Sequence, residues 1–128
     1  MYSNIKNYQE DAVLTNEIQA IIKASELDNI SIDKLKVHEA FYNMRGKCKL
    51  LSVNNVYFTE YYYEKDKPYS DRLENCFFNL EANGFLRWDI NDRLYHIDKK
   101  VPLRINFDEE KNLEIQEMSK ILIKTLKR

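Results

Sequence analysis

This chain has little to break it. Two glycines (Gly46, Gly84) and two prolines (Pro68, Pro102) in 128 residues leave few turn or stop signals. That argues against an all-β fold with many tight turns and favours long helices. Two glycines also cannot build a phosphate-cradling loop of the P-loop or dinucleotide type. The two cysteines, Cys48 and Cys76, lie far apart with no paired neighbour, which argues against a zinc cage. They fit buried or free thiols, and nothing in the sequence demands a disulfide. Charge of one sign is missing too. With 20 basic and 21 acidic residues the net charge is −1, so the basic excess common in nucleic-acid binders is absent. No apolar run approaches the roughly 18 residues of a membrane span. The opening MYSNIKNYQEDAV lacks the apolar core of a signal peptide, so the cytoplasm is the expected compartment. The length suits a single domain over 1–128 with a core that needs no staples.

Catalytic motifs are also missing. His38-Glu39 opens a zinc-protease pair, but Tyr42 stands where the second histidine belongs. His38 is expected on the surface of a charged helix, and His96 is expected exposed beside Arg87. No serine sits in a nucleophile-elbow context. The expectation is a non-enzymatic protein with no cofactor and no metal. Triads assembled in space leave no linear trace, so this expectation stands on motifs alone.

What is present is periodicity. Leu14, Ile18, Ile21 and Ser25, widened by Val13 and Ile22, mark a first helix over 8–25. Leu27 to Ile30 reads as a connector. Ser31 is placed to cap a second helix to Arg45, with Ile32, Leu35, Ala40, Phe41 and Met44 on one face and Gly46 as its stop. Lys34 to Lys49 is locally basic, which reads first as a solvated helix face. Lys47 to Glu64 fits either of two structures. One is a hairpin turning at Asn54-Asn55. The other, preferred for the helix-turn-helix order it creates, is a helix capped by Ser52 with Val53, Tyr57 and Tyr61 on one face and Phe58 beside them.

Ser70 to Asn83 is the firmest element. Ser70 caps it, Asp71 and Glu74 complement its positive end, and Leu73, Cys76, Phe77 and Leu80 form a stripe that Gly84 terminates. A two-residue Asn91-Asp92 turn then sets a hairpin register. It places Ile90 opposite Arg93, Trp88 opposite Tyr95 and Leu86 opposite Ile97, with Arg87 and His96 on the other face. After an extended VPLRINF segment, Asp108 caps a last helix over 109–127. Its stripe of Ile115, Met118, Ile121, Leu122 and Leu126 either packs on the first helix or pairs with a second copy. The dimer is favoured, through Ile115, Met118, Leu122 and Leu126, because the first helix offers only a narrow stripe.

Nine tyrosines are a high count. Tyr57, Tyr61, Tyr62, Tyr63 and Tyr69 cluster ahead of the firm helix. Half-buried packing and a partner surface explain them about equally well. Three consecutive tyrosines cannot all face one core, so Tyr61, Tyr62, Tyr63 and Tyr69, with Lys65 and Lys67 as a cationic rim, are the candidate protein-interaction residues.

From Ser31 to Asp98 the order helix, short extended piece, helix, turn, helix, hairpin resembles the winged helix-turn-helix family over about half the chain. It rests on the LSV near Leu51, the helix through Leu73 to Leu80, and Gly84-Phe85-Leu86 leading into the hairpin. The resemblance implies a mainly α fold with a small β-hairpin (α+β), a winged-helix-like core over 31–98, and flanking helices at 8–25 and 109–127. It also implies a DNA-reading role in which Tyr69, Ser70 and Arg72 face bases and Arg93 touches backbone. The chain departs from that pattern. Asp71, Glu74 and Glu81 load the reading helix with acid, and Lys65 to Arg104 is almost neutral. The expected function is a protein-interaction module, a small bacterial or phage regulator or accessory subunit of a defence, immunity or toxin-neutralising system. A dimeric DNA-binding regulator is the alternative.

Overall fold

The computed structural model describes residues 2–31, 34–55, 61–64, 67–92 and 94–127. Four helices stand among them: α1 (Tyr2–Ala24), α2 (Lys34–Met44), α3 (Asp71–Ala82) and α4 (Glu109–Leu126). The strands are β1 (Asn29–Ser31), β2 (Tyr61–Glu64), β3 (Lys67–Ser70), β4 (Leu86–Asp89) and β5 (Leu94–Ile97). They form a three-stranded antiparallel sheet in the order β1-β5-β4 and a separate β2-β3 hairpin. The fold is therefore α+β. No helix among the described residues is long and apolar enough to cross a membrane.

α1 is the central element. Leu14, Ile18, Ile21 and Ile22 are buried, as their spacing implies, but so are Thr15, Asn16, Glu17 and Gln19 between them. A helix buried on nearly every side needs partners for its polar side chains. They find them in other elements: Asn16 and Gln19 in the 101–105 segment and α3, Glu17 in the turn at 52–53. Two expectations fail here. The helix starts at Tyr2 rather than near Tyr8, and Val13, expected to widen the stripe, is exposed. The narrow stripe that left the last helix without cover is in fact a broad surface.

α4 uses that surface. Ile115, Met118 and Leu122 are buried within the chain, and Ile121 and Leu126 pack half-buried against the same core. α4 lies on both α1 and α2. The expected dimer stripe of Ile115, Met118, Leu122 and Leu126 is thus intramolecular core, because α1 presents far more surface than its hydrophobic spacing shows. The Asp108 cap forms as expected, accepting from the Lys111 N–H at 2.9 Å.

The connector 27–30 contains β1. Ile30 is buried and pairs with Tyr95, and Ser31 closes the strand opposite Leu94; its side chain, expected to cap α2, lies outside the described residues. Three residues carry no readable alternation, so only the waiting edge of β5 makes them a strand.

Among the described residues of Lys47 to Glu64, 47–55 and 61–64, neither expected structure appears. A single 3-10 turn spans Ser52–Asn55, and Tyr61–Glu64 is a strand on Lys67–Ser70. The backbone N–H groups just before and within the 3-10 turn are held by distant carboxylates. Glu17 accepts from Ser52 N–H (3.0 Å) and Val53 N–H (3.1 Å), and Glu114 accepts from the N–H groups of Lys49 and Leu50. The aromatic run then goes to a strand, where such residues pack well. Tyr57 and Phe58 lie outside the described residues.

α3 and the second hairpin follow expectation closely. Ser70 Oγ accepts from Leu73 N–H, and Leu73, Cys76, Phe77 and Leu80 are buried. Gly84 takes the left-handed conformation (φ +85°) that ends the helix, and Phe85 folds into the core. The register is Leu86↔Ile97, Arg87↔His96 and Trp88↔Tyr95. The Ile90–Arg93 pair lies outside the described residues at Arg93. Cys48 and Cys76 are both buried free thiols.

Candidate functional site: the groove beside the third helix

A large concavity lies between α1, α3 and the extended segment after β5. Its volume is about 640 Å³, within the range of ligand and peptide sites. α1 forms its floor with Ala12, Thr15, Asn16 and Gln19. One wall is the outward face of α3: Asn75, Phe78, Asn79, Ala82 and Asn83. The other is Val101, Pro102 and Arg104.

The extended wall is held by buried amides rather than by a sheet. Asn16 Oδ1 accepts from Arg104 N–H (3.0 Å) and Ile105 N–H (3.4 Å), while its Nδ2 donates to Ile105 C=O (2.9 Å). Gln19 Nε2 donates to the carbonyls of Val101 and Pro102, both at 3.2 Å. Gln19 Oε1 accepts from Asn83 Nδ2, and Thr15 Oγ1 accepts from Asn79 Nδ2, which tie α3 to the same helix. The site is therefore rigid on three sides. Phe78 stands at its edge 71% exposed, a large aromatic ring with no core to cover it. Among the described residues Arg104 is the one charged group of the lining, and no carboxylate, histidine or thiol is among them. The arrangement can hold a partner by shape, amide hydrogen bonds and an aromatic anchor.

The residues that sequence reasoning singled out lie elsewhere. His38 is fully buried, not on the surface. Its Nδ1 accepts from Ser70 N–H at 3.1 Å, which places the ring proton on Nε2, and that nitrogen lies 3.0 Å from Glu74 Oε2. Tyr69 stacks on the imidazole with ring centroids 4.3 Å apart. The histidine thus locks α2 to the start of α3. The cavity beside it, lined by Ile30, Val37, Phe77, Leu86 and Tyr95, holds about 10 Å³, room for one water at most. Ser70 is fully buried and Tyr69 half-buried in this lock, so neither faces outward to read bases. Arg72 is half-buried on the first turn of α3, and Arg93 lies outside the described residues. Tyr61, Tyr62 and Tyr63 form β2 opposite Ser70, Tyr69 and Pro68, and Lys67 opens β3. The side chains of those tyrosines and of Lys67, and all of Lys65, lie outside the described residues.

His96 is half-exposed and engaged. Its Nε2 lies 2.7 Å from Asp92 Oδ2 and 3.9 Å from Asp89 Oδ2. Each carboxylate also accepts a turn N–H, Asn91 for Asp89 and Leu94 for Asp92. Hydrogen bonding within the hairpin accounts for this cluster. A second feature joins remote basic segments: Lys47 lies against Lys120 and Lys124 of α4, around a shallow depression that also contains Glu117.

Sequence reasoning missed the groove because its floor is polar. Asn16 and Gln19 carry no apolar spacing, and Phe78 falls outside the Leu73-Cys76-Phe77-Leu80 stripe. An unpaired phenylalanine on the outer face of α3 was the available signal. No protein-family model, no curated protein and no solved structure matches this chain.

Proposed function

We propose that this chain is a winged-helix-like protein-interaction module that docks a protein partner in the groove beside α3. The element order α1-β1-α2-α3-β4-β5 with sheet order β1-β5-β4 supports the winged-helix reading. The β2-β3 hairpin is then an insertion between the second and third helices. The observation that carries the function is the outward face of α3. In a DNA reader that face carries cations toward phosphates and bases. Here the groove-lining residues of α3 are Asn75, Phe78, Asn79, Ala82 and Asn83, with an exposed aromatic and no cation. Aromatic anchors ringed by hydrogen-bonding groups are what protein interfaces use. Such a module suits a small regulator or accessory subunit.

A DNA-binding regulator is the second reading, favoured only by the basic edge of Lys47, Lys120 and Lys124. One pair of measurements separates them. A photo-crosslinking residue at Ala82, in cells that make the protein, should capture one discrete protein, and Phe78→Ser should abolish the product while leaving the melting temperature intact. Short DNA duplexes titrated at low salt should show no steeply salt-dependent binding. Duplex binding lost on Lys120→Gln and Lys124→Gln, with no cross-link at Ala82, overturns the protein reading.

A further inference from the structure

Among the described residues the three-stranded sheet ends on β4 with no further strand beside it, and that edge is matched to itself. Asp98 N–H donates to Phe85 C=O at 2.9 Å, and Ile97 N–H donates to Asp28 C=O on the opposite side at 3.0 Å. Residues 85, 87 and 89 therefore aim their backbone groups at β5. Leu86, Trp88 and Ile90 present theirs to the open edge. On the core side of the sheet, Leu86 is buried, Trp88 is 40% exposed and Ile90 is 74% exposed. On the other side lie Arg87 and, two residues on, Asp89.

We propose that a second copy of this chain docks here, β4 against β4 in antiparallel pairing about a twofold axis through Trp88. That axis places each Arg87 opposite Asp89 of the other copy, Leu86 opposite Ile90, and Trp88 opposite Trp88. Opposite charges directly across a ladder are favourable and like charges are not. The pairing uses the outward backbone groups of 86, 88 and 90, so it is the register the edge allows. The Arg87–Asp89 pairs then fall at the non-hydrogen-bonded positions, where cross-strand side chains approach most closely. A lone arginine on an edge strand guards it against pairing. An arginine and an aspartate two residues apart on one face do the reverse for a twofold copy. The exposed Ile90 gains cover beside Leu86, and the two sheets become one of six strands. The surface is isologous, as closed dimers require. A short strand buries less than a standard interface, so the dimer is weak and concentration-dependent.

The proposal does not rest on the groove, and its readouts are independent of any partner. Sedimentation of the whole chain should show a monomer–dimer equilibrium at high protein concentration. Trp88 is the only tryptophan, so its emission should shift to the blue over the same concentration range. Arg87→Asp alone and Asp89→Arg alone should each be monomeric. Mixed in equal amounts they should form a heterodimer, because both cross-strand pairs become complementary again. Ile90→Glu, at an exposed position, should raise the dimer dissociation constant at least tenfold and serves if Asp89→Arg disturbs the hairpin. A wild type that stays monomeric at the highest concentration reachable overturns the proposal. So does a dimer indifferent to Arg87→Asp and Ile90→Glu, or folded charge variants that do not associate on mixing.

Discussion

Glu17 offers the sharpest test of how this fold is held. Its carboxylate sits on the central helix, 2% exposed, and accepts from the N–H groups of Ser52 and Val53. Glu17→Ala leaves both donors without their partner, the Val53 N–H in a buried position. An unsatisfied buried donor costs about 1–3 kcal/mol, so the pair predicts a loss of about 2–4 kcal/mol, the Ser52 group counting less because water can reach it. At about 2.1 cal/mol/K of unfolding entropy per residue, that lowers the melting temperature by about 7–15 °C. Glu17→Gln keeps one acceptor oxygen and removes the buried charge, so it should lie nearer to wild type than to the alanine variant. The pH dependence has a definite sign. Burial pushes the Glu17 carboxyl above its ordinary 4.5, against the two backbone hydrogen bonds that pull it down. Below pH 4.5 the group is protonated in both states. As pH rises, the unfolded chain ionises first, and stability is lost until the folded carboxyl ionises too. Urea titrations of wild type and Glu17→Gln across that range should therefore show the wild-type advantage shrinking as pH rises. A difference that grows with pH, or a glutamine variant as damaged as alanine at neutral pH, refutes the account.

Other outcomes follow from the same packing. Phe77→Ala should cost about 3–5 kcal/mol in a denaturant titration, since the ring is buried against Phe41 and His38, and a loss under about 1 kcal/mol would mean that this face is not core. Met118→Lys with Leu122→Lys should give an unfolded chain by circular dichroism, whereas a folded monomer would return those residues to an interface. His38→Ala should loosen the α2–α3 junction by about 2–4 kcal/mol, through the lost acceptor of Ser70 N–H and the lost stack on Tyr69, and unchanged stability would refute the lock. Cys48 is pushed up to about 11 by burial, with Glu114 and Glu17 adding to the shift, so it should resist alkylation in the native protein at pH 8 and react only on unfolding.

Local signals settled the parts of this protein that depend on neighbours in sequence. Ser70 as a cap, the Leu73-Cys76-Phe77-Leu80 stripe, the stop at Gly84, the β4–β5 register and the Asp108 cap are all decided within about ten residues, where helix period, capping chemistry and strand alternation act directly. Tertiary structure decided whatever depends on a remote partner. His38 reads as a surface residue until Ser70, Tyr69 and Glu74 close around it. Glu17, Asn16 and Gln19 fall outside the apolar spacing of α1, and only the 52–53 and 101–105 backbones give them their roles as acceptors and donors. Lys47 to Glu64 carries a pattern that fits two structures, and in its described residues the backbone at 49–53 is held instead by the distant carboxylates of Glu17 and Glu114. The last helix carries one stripe whether its cover is another chain or its own, and only the breadth of the buried α1 surface makes it its own. The first two share one reason. A buried polar group must be hydrogen-bonded, and nothing in the local sequence says which backbone far along the chain will do it.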